Sequence, residues 1–260
     1  MSTSTLTQSL AGALMLAACA HVAPARAADA TTDVEVSRVT MKLQGVGWTV
    51  SGKLPYALPI QDQGLSIDGE RRVISYGPPG TSRSMVMLVS ATRGTSGAVV
   101  QADCDSDDRF YVHKFNRGIS TYIPLQCLHV QGPVRMPEDL SVFGNPLAYA
   151  LASQHVVAPA EGYVANLLVC NENGAIVEIF ALIGSDFTGL QARPAVDFLP
   201  DGLPAGVAAW ADKLAEEALG TLSSWSGRMT VPPVVFRSPP APPPPPGVKT
   251  ALAAPAAMKD

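Results

Sequence analysis

The chain has 260 residues, 18 Lys and Arg against 22 Asp and Glu, and only 6% aromatic residues. No Lys/Arg run exceeds two residues, which argues against a nucleic-acid or anionic-membrane surface. Its 47% hydrophobic content fits a folded body with a real core, either one large domain or two small ones.

Residues 1–27 carry no Asp, Glu or Lys and one Arg, Arg26. Leu10 to Ala20 is an apolar run, long enough for a signal h-region and too short for a bilayer span of about 20 residues. Pro24 ends it, and Ala25-Arg26-Ala27 supplies the small-x-small pattern of signal peptidase cleavage. A signal peptide over 1–27 and a periplasmic or secreted mature chain from Ala28 are therefore expected. Loss of Arg26 leaves 17 basic against 22 acidic residues. Leu16-Ala17-Ala18-Cys19 competes, because it resembles the bacterial lipobox. On that alternative Cys19 is lipidated, the protein is a membrane-anchored lipoprotein, and the lipid is its only contact with a membrane. Export into an oxidising compartment favours one disulfide among Cys104, Cys127 and Cys170. Cys104–Cys127, the pair closest in sequence, is the first choice.

The mature chain reads as α+β over residues 28–236, with two sub-lobes divided near 136–145 as a variant. Val34 to Leu43 alternates apolar and polar residues and is expected as one strand. Trp48-Thr49-Val50 restarts a short strand. Leu54 to Leu65, with Pro55, Pro59 and Gly64, reads as a loop. Strands are expected over Arg71–Tyr76 and Ser84–Thr92, and "MVMLV" within the second is apolar on both faces, as in a central strand. Ala98–Ala102 and Ile119–Val130, the latter interrupted by Pro124, are further strand candidates. Asn145-Pro146 opens a helix to about Gln154. Tyr163–Cys170 and Ala175–Ile183, joined by Asn171-Glu172-Asn173-Gly174, form the clearest hairpin. Val207, Trp210, Leu214, Ala218 and Leu222 recur at helical spacing, with Asp212, Lys213, Glu216 and Glu217 mostly away from them. That pattern is an amphipathic C-terminal helix able to dock on a sheet. After it, "SWSGRMTVPPVVF" reads as a closing strand. Residues 237–260, with "SPPAPPPPPG", read as a disordered Pro/Ala-rich tail in which polyproline II serves as a stiff spacer.

Four motifs bear on chemistry. "GPPGTSRS", from Gly77 to Ser84, approaches a nucleotide-binding P-loop but has Ser82 for the second Gly and Arg83 for the Lys, so it reads as a hairpin turn. "DCDSDD" sets Asp103, Asp105 and Asp107 at alternate positions beside Asp108. These are weak cation ligands, because Asp108 replaces the turn Gly of a calcium loop and Lys114 its closing Glu. Cys127 and His129, two apart, share a face in a strand and could form a nucleophile–base pair or half a zinc site. "GTSGA" at Gly94 lacks the last Gly of a serine nucleophile elbow.

With no convergent catalytic set and no cofactor motif, the expectation is a non-enzymatic exported binding or interaction protein of the cell envelope. Another envelope or secreted protein is the expected partner, since no aromatic cluster is visible to hold a ring or sugar. An exported enzyme built around Cys127, His129 and the acidic loop 103–108 is the first alternative. A structural envelope protein anchored through Cys19 is the second.

Overall fold

The structure, a computed structural model, describes residues 30–60, 65–78, 81–92, 104, 109–114, 126–135, 145–170, 175–223 and 227–237. The leader with Cys19, the acids Asp103, Asp105, Asp107 and Asp108, the Gly94 motif, the strand candidate 98–102, Pro124 and the tail beyond Arg237 lie outside these residues. Among the described residues no helix is long and apolar enough to cross a membrane.

The elements in chain order are β1 (Thr31–Val36), β2 (Val39–Gln44), β3 (Trp48–Val50), β4 (Leu54–Ile60), β5 (Leu65–Tyr76), β6 (Met85–Thr92), β7 (Tyr111–Lys114), β8 (Gln126–Arg135), α1 (Asn145–Ser153), β9 (Glu161–Cys170), β10 (Ile176–Gly184), α2 (Ala205–Ser223) and β11 (Arg228–Thr230). The architecture is α+β and mostly antiparallel. An eight-stranded sheet runs β3-β5-β6-β10-β9-β8-β7, with β4 also paired to β5. Strands from both sides of residues 136–145 join it. A smaller three-stranded sheet runs β1-β2-β11, and only β11 is parallel to its neighbour β2.

Two strand expectations are corrected. The single strand expected over Val34–Leu43 is a hairpin, β1 paired antiparallel to β2 with Val36 opposite Val39. The chain reverses at Ser37, whose φ of 54° is left-handed. A Ser-Arg turn lacks the Gly or Asn that normally marks such a reversal. The loop expected over Leu54–Leu65 contains β4, paired to β5 from Leu54↔Arg71 to Ile60↔Leu65. β4 lies at the sheet edge, where proline is tolerated at positions that donate nothing to the ladder. β3 and β4 pair with successive stretches of the 12-residue β5, so that strand extends further back than Arg71.

β6 is central, flanked by β5 and β10, and all eight of its residues are buried. Period-2 alternation then defines two faces. On one, Met85, Met87 and Val89 of β6, Ile179, Ala181 and Ile183 of β10, Ala165 and Leu167 of β9 and Leu128 of β8 join a continuous core with α2 and the small sheet. α2 contributes Val207, Trp210, Leu214, Ala218 and Leu222, the stripe expected from its spacing, and packs on β8, β9 and β11. On the opposite face Val73, Val86, Leu88, Val164, Phe180 and Leu182 form a second cluster beneath Leu147, Ala150 and Leu151 of α1. Close backbone approach requires glycine where the α2 start meets the preceding loop: a Cβ on Gly189, whose φ is +71°, would lie 2.0 Å from the Gly206 carbonyl oxygen.

Candidate functional site

The α1 face of the sheet carries polar side chains in register. Arg71, Ser90, Glu178, Leu168 and Cys127 face one another across β5, β6, β10, β9 and β8. The next row holds Phe180, Asn166 and His129. The Arg71 Nε donates to Ser90 Oγ at 2.8 Å, and its guanidinium stands 3.6 Å from the Glu178 carboxylate. The same guanidinium stacks 4.4 Å over the Tyr56 ring, and the Tyr56 hydroxyl donates to Glu178 at 3.3 Å. Burial, then the Glu178 charge, pushes the Tyr56 phenol well above its ordinary range, so it stays protonated and acts as a donor. The Asn166 Oδ1 is buried and has no hydrogen-bond partner among the described residues.

Two strands along this row, the structure joins Cys104 to Cys127 in a disulfide with a Cα–Cα distance of 5.7 Å. His129 shares the face of Cys127, as the i, i+2 spacing implies, and its Nε2 lies 3.5 Å from the Cys127 Sγ. The Phe110 ring lies 5.9 Å from the His129 ring. Cys170 is buried outside the disulfide, and burial raises its thiol pKa. While Cys127 is oxidised it offers no thiolate, so the Cys127–His129 pair is not a nucleophile with its base in this state.

A second polar cluster lies on the α2 face. Asp212 was expected on the outer side of its helix, but it is only 5% exposed. Its carboxylate accepts from the Tyr111 hydroxyl at 2.6 Å, from His113 Nδ1 at 2.8 Å and from the Ala195 N–H at 2.7 Å. The Tyr111 oxygen in turn accepts from the Val196 N–H at 3.0 Å. Desolvation and the Asp212 hydrogen bond push the Tyr111 phenol upward, which keeps its proton in place. The carboxylate ties α2, β7 and the 195–196 loop together, its buried oxygens satisfied by these donors.

The third feature is an aromatic chain. Trp210 meets Phe187 edge-on at 5.6 Å, Phe187 meets Phe236 at 5.3 Å, Phe236 stacks on Tyr76 at 5.5 Å, and Tyr76 meets Trp48 edge-on at 5.0 Å. It runs from the centre of the core to the surface. There it opens into a cleft of about 620 Å³, walled by Tyr76, Phe236 and Val234 with Ser84, Asp186 and Arg237 as polar residues. The segment carrying Phe236 is held by three backbone-directed bonds: Thr188 N–H and Oγ1 donate to the Val235 oxygen, and Arg237 N–H donates to the Asp186 oxygen. Gly47 lines the cleft at φ +100°, and a Cβ there would lie 3.3 Å from the Tyr76 ring. Val235 is 48% exposed, and Val46, next to Gly47, is 57% exposed. The stretch Gly77–Ser84, close to a P-loop in sequence, joins β5 to β6, with the Ser84 N–H donating to the Tyr76 oxygen at 3.0 Å.

Sequence reasoning brought Cys127 and His129 together and named Cys104 as the nearer partner. It missed the Asp212 cluster, because Tyr111 and His113 lie 101 and 99 residues away. It missed the cleft as well. The five rings come from five separate segments, so the absence of an aromatic cluster in the sequence is no ground for preferring a protein partner over a ring-shaped ligand. No family model, curated protein or solved structure matches this chain.

Proposed function

We propose that the chain is an exported, non-enzymatic binding protein of the cell envelope that takes its partner at the Tyr76–Phe236 cleft. The observation that carries this reading is the end of the aromatic chain at an open cleft lined by Tyr76, Phe236 and the exposed Val235. Its volume lies within the roughly 300–1,000 Å³ of ligand pockets, and a few polar groups on apolar walls is their usual make-up. Its walls of Tyr76, Phe236, Val234 and the exposed Val235 favour an apolar or aromatic group of a partner. The leader pattern and the Cys104–Cys127 disulfide support export, since disulfides persist in oxidising compartments.

Site-specific photo-crosslinking tests it. A photoreactive residue replacing Val235, in the full chain in its native envelope, should give one dominant adduct that Tyr76→Ala or Phe236→Ala abolishes. The same residue replacing Arg193, whose side chain is 82% exposed, should give none. Equal labelling from both positions, or no adduct from Val235, would remove the proposal.

A second reading, an exported enzyme using Cys127 and His129, is favoured by their 3.5 Å separation. It requires the sulfur to be reduced.

A further inference from the structure

We infer that Cys104, Cys127 and His129 form a redox-gated zinc(II) site, closed by the disulfide and opened by its reduction. The ligand atoms of the three residues all lie within 4.8 Å of one another. The decisive distance does not involve the sulfur–sulfur bond. Zinc bonds of about 2.3 Å to sulfur and about 2.0–2.1 Å to nitrogen, at a tetrahedral angle, place the two ligand atoms about 3.6 Å apart. Cys127 Sγ and His129 Nε2 are 3.5 Å apart. Their backbones are fixed by the β8 ladder, through Cys127↔Leu168 and His129↔Asn166 on one side and Lys114↔Cys127 and Val112↔His129 on the other. Two of the three ligands are thus preset, and Cys104 closes the set. On reduction its sulfur has to recede only to the roughly 3.8 Å that two thiolates on one zinc require.

Three protein ligands leave a fourth zinc position for water.

The chemistry balances with a dithiol as reductant. A thiolate of the dithiol attacks one sulfur of the disulfide, the S–S bond breaks, and the other cysteine leaves with the electron pair and takes up a proton. The second thiol of the reductant then displaces the first cysteine, which is also protonated, and the reductant is released as its own disulfide. Two electrons and two protons have passed to Cys104 and Cys127. Zinc binding returns those two protons to solvent as both thiolates and the neutral imidazole coordinate.

The test uses the full chain, reduced with a dithiol that is then removed without oxygen, and titrated with Zn(II) or with Co(II) as its spectroscopic substitute. Reduced wild type should bind one equivalent and show thiolate-to-cobalt charge transfer with tetrahedral d–d bands. The oxidised chain should show neither. His129→Gln leaves both sulfurs in place, so the oxidised variant should melt as wild type does. Its reduced form should lose affinity by more than the roughly 10–100-fold that outer groups contribute. Cys170→Ala should bind as wild type does. The inference is overturned if the reduced chain binds no Co(II) in a tetrahedral thiolate environment. It is also overturned if His129→Gln binds as tightly as wild type, or if the reduced chain loses its cooperative melting transition and Zn(II) does not restore it. None of these outcomes bears on the Tyr76–Phe236 cleft, so failure here and failure of the binding proposal are distinguishable.

Discussion

On one face of the eight-stranded sheet, Met87, Val89, Ile179 and Leu167 belong to one continuous apolar core with Trp210 and Leu214 of α2. On the other, Leu88 and Phe180 share a row with Asn166 and His129, the neighbouring row holds Ser90 and Glu178, and α1 covers a smaller cluster. The strands are the same, and so is their alternation. The difference shows that the α2 face secures the fold, whereas the α1 face leaves room for side chains whose chemistry is not spent on packing. The cleft belongs to the first face, at the rim where its aromatic chain reaches solvent.

The largest test of that contrast is Trp210→Ala. Trp210 is fully buried, touches Phe187 and donates to the Pro232 oxygen at 3.3 Å. Its loss should cost about 3–5 kcal/mol in denaturant unfolding. Leu151→Ala on α1 should cost less, because the thinner α1 layer can close over the gap. If the two cost the same, the contrast between the faces fails.

Asp212→Ala comes next. It removes the acceptor shared by the Tyr111 hydroxyl, His113 Nδ1 and the Ala195 N–H and should cost about 3 kcal/mol. Asp212→Asn keeps an acceptor and should cost clearly less in the same unfolding measurement. Opening the Cys104–Cys127 disulfide by a double Ala substitution should cost about 3 kcal/mol, set by the freed chain of the unfolded state. That loss should vanish when wild type and variant are compared under reducing conditions without metal.

Glu70→Gln should have the smallest effect. Desolvation raises the Glu70 carboxyl pKa, but Lys53 and Arg72, at 2.9 and 3.1 Å, outweigh it and hold the pKa below its ordinary 4.5. A folded-state pKa below the unfolded one contributes stability that is fully present above the ordinary value and is lost as pH falls through the folded one. Wild type should therefore exceed Glu70→Gln by less than about 1 kcal/mol at neutral pH. The gap should close in acid.

Much of the framework was legible from residue pattern. β6 could be placed at the centre because both its faces are apolar, and the Trp210–Leu214 stripe showed which side of α2 is buried. Cys127 and His129 were legible as neighbours because a strand brings i and i+2 to one face. What escaped depended on contacts distant in sequence or on unmarked turns. Ser37 reverses the chain without a turn signature. β4 accepts its prolines only because it lies at an edge. Asp212 looked like one more charge on a solvated helix face until Tyr111 and His113 arrived from β7. The cleft needed Trp48, Tyr76, Phe187, Trp210 and Phe236 to meet, and each stands alone in its own segment.

Proposed export is the common premise of the compartment proposed for the partner and of the redox gating inferred for Cys104, Cys127 and His129. The most direct measurement is the intact mass of the product exported from a Gram-negative host, before and after reduction and alkylation. A chain beginning at Ala28, or at a lipidated Cys19, is predicted. It should take up one alkyl group without reduction, under denaturing conditions, and two more after it. An unprocessed chain with all its cysteines alkylated without reduction would contradict both export and the disulfide.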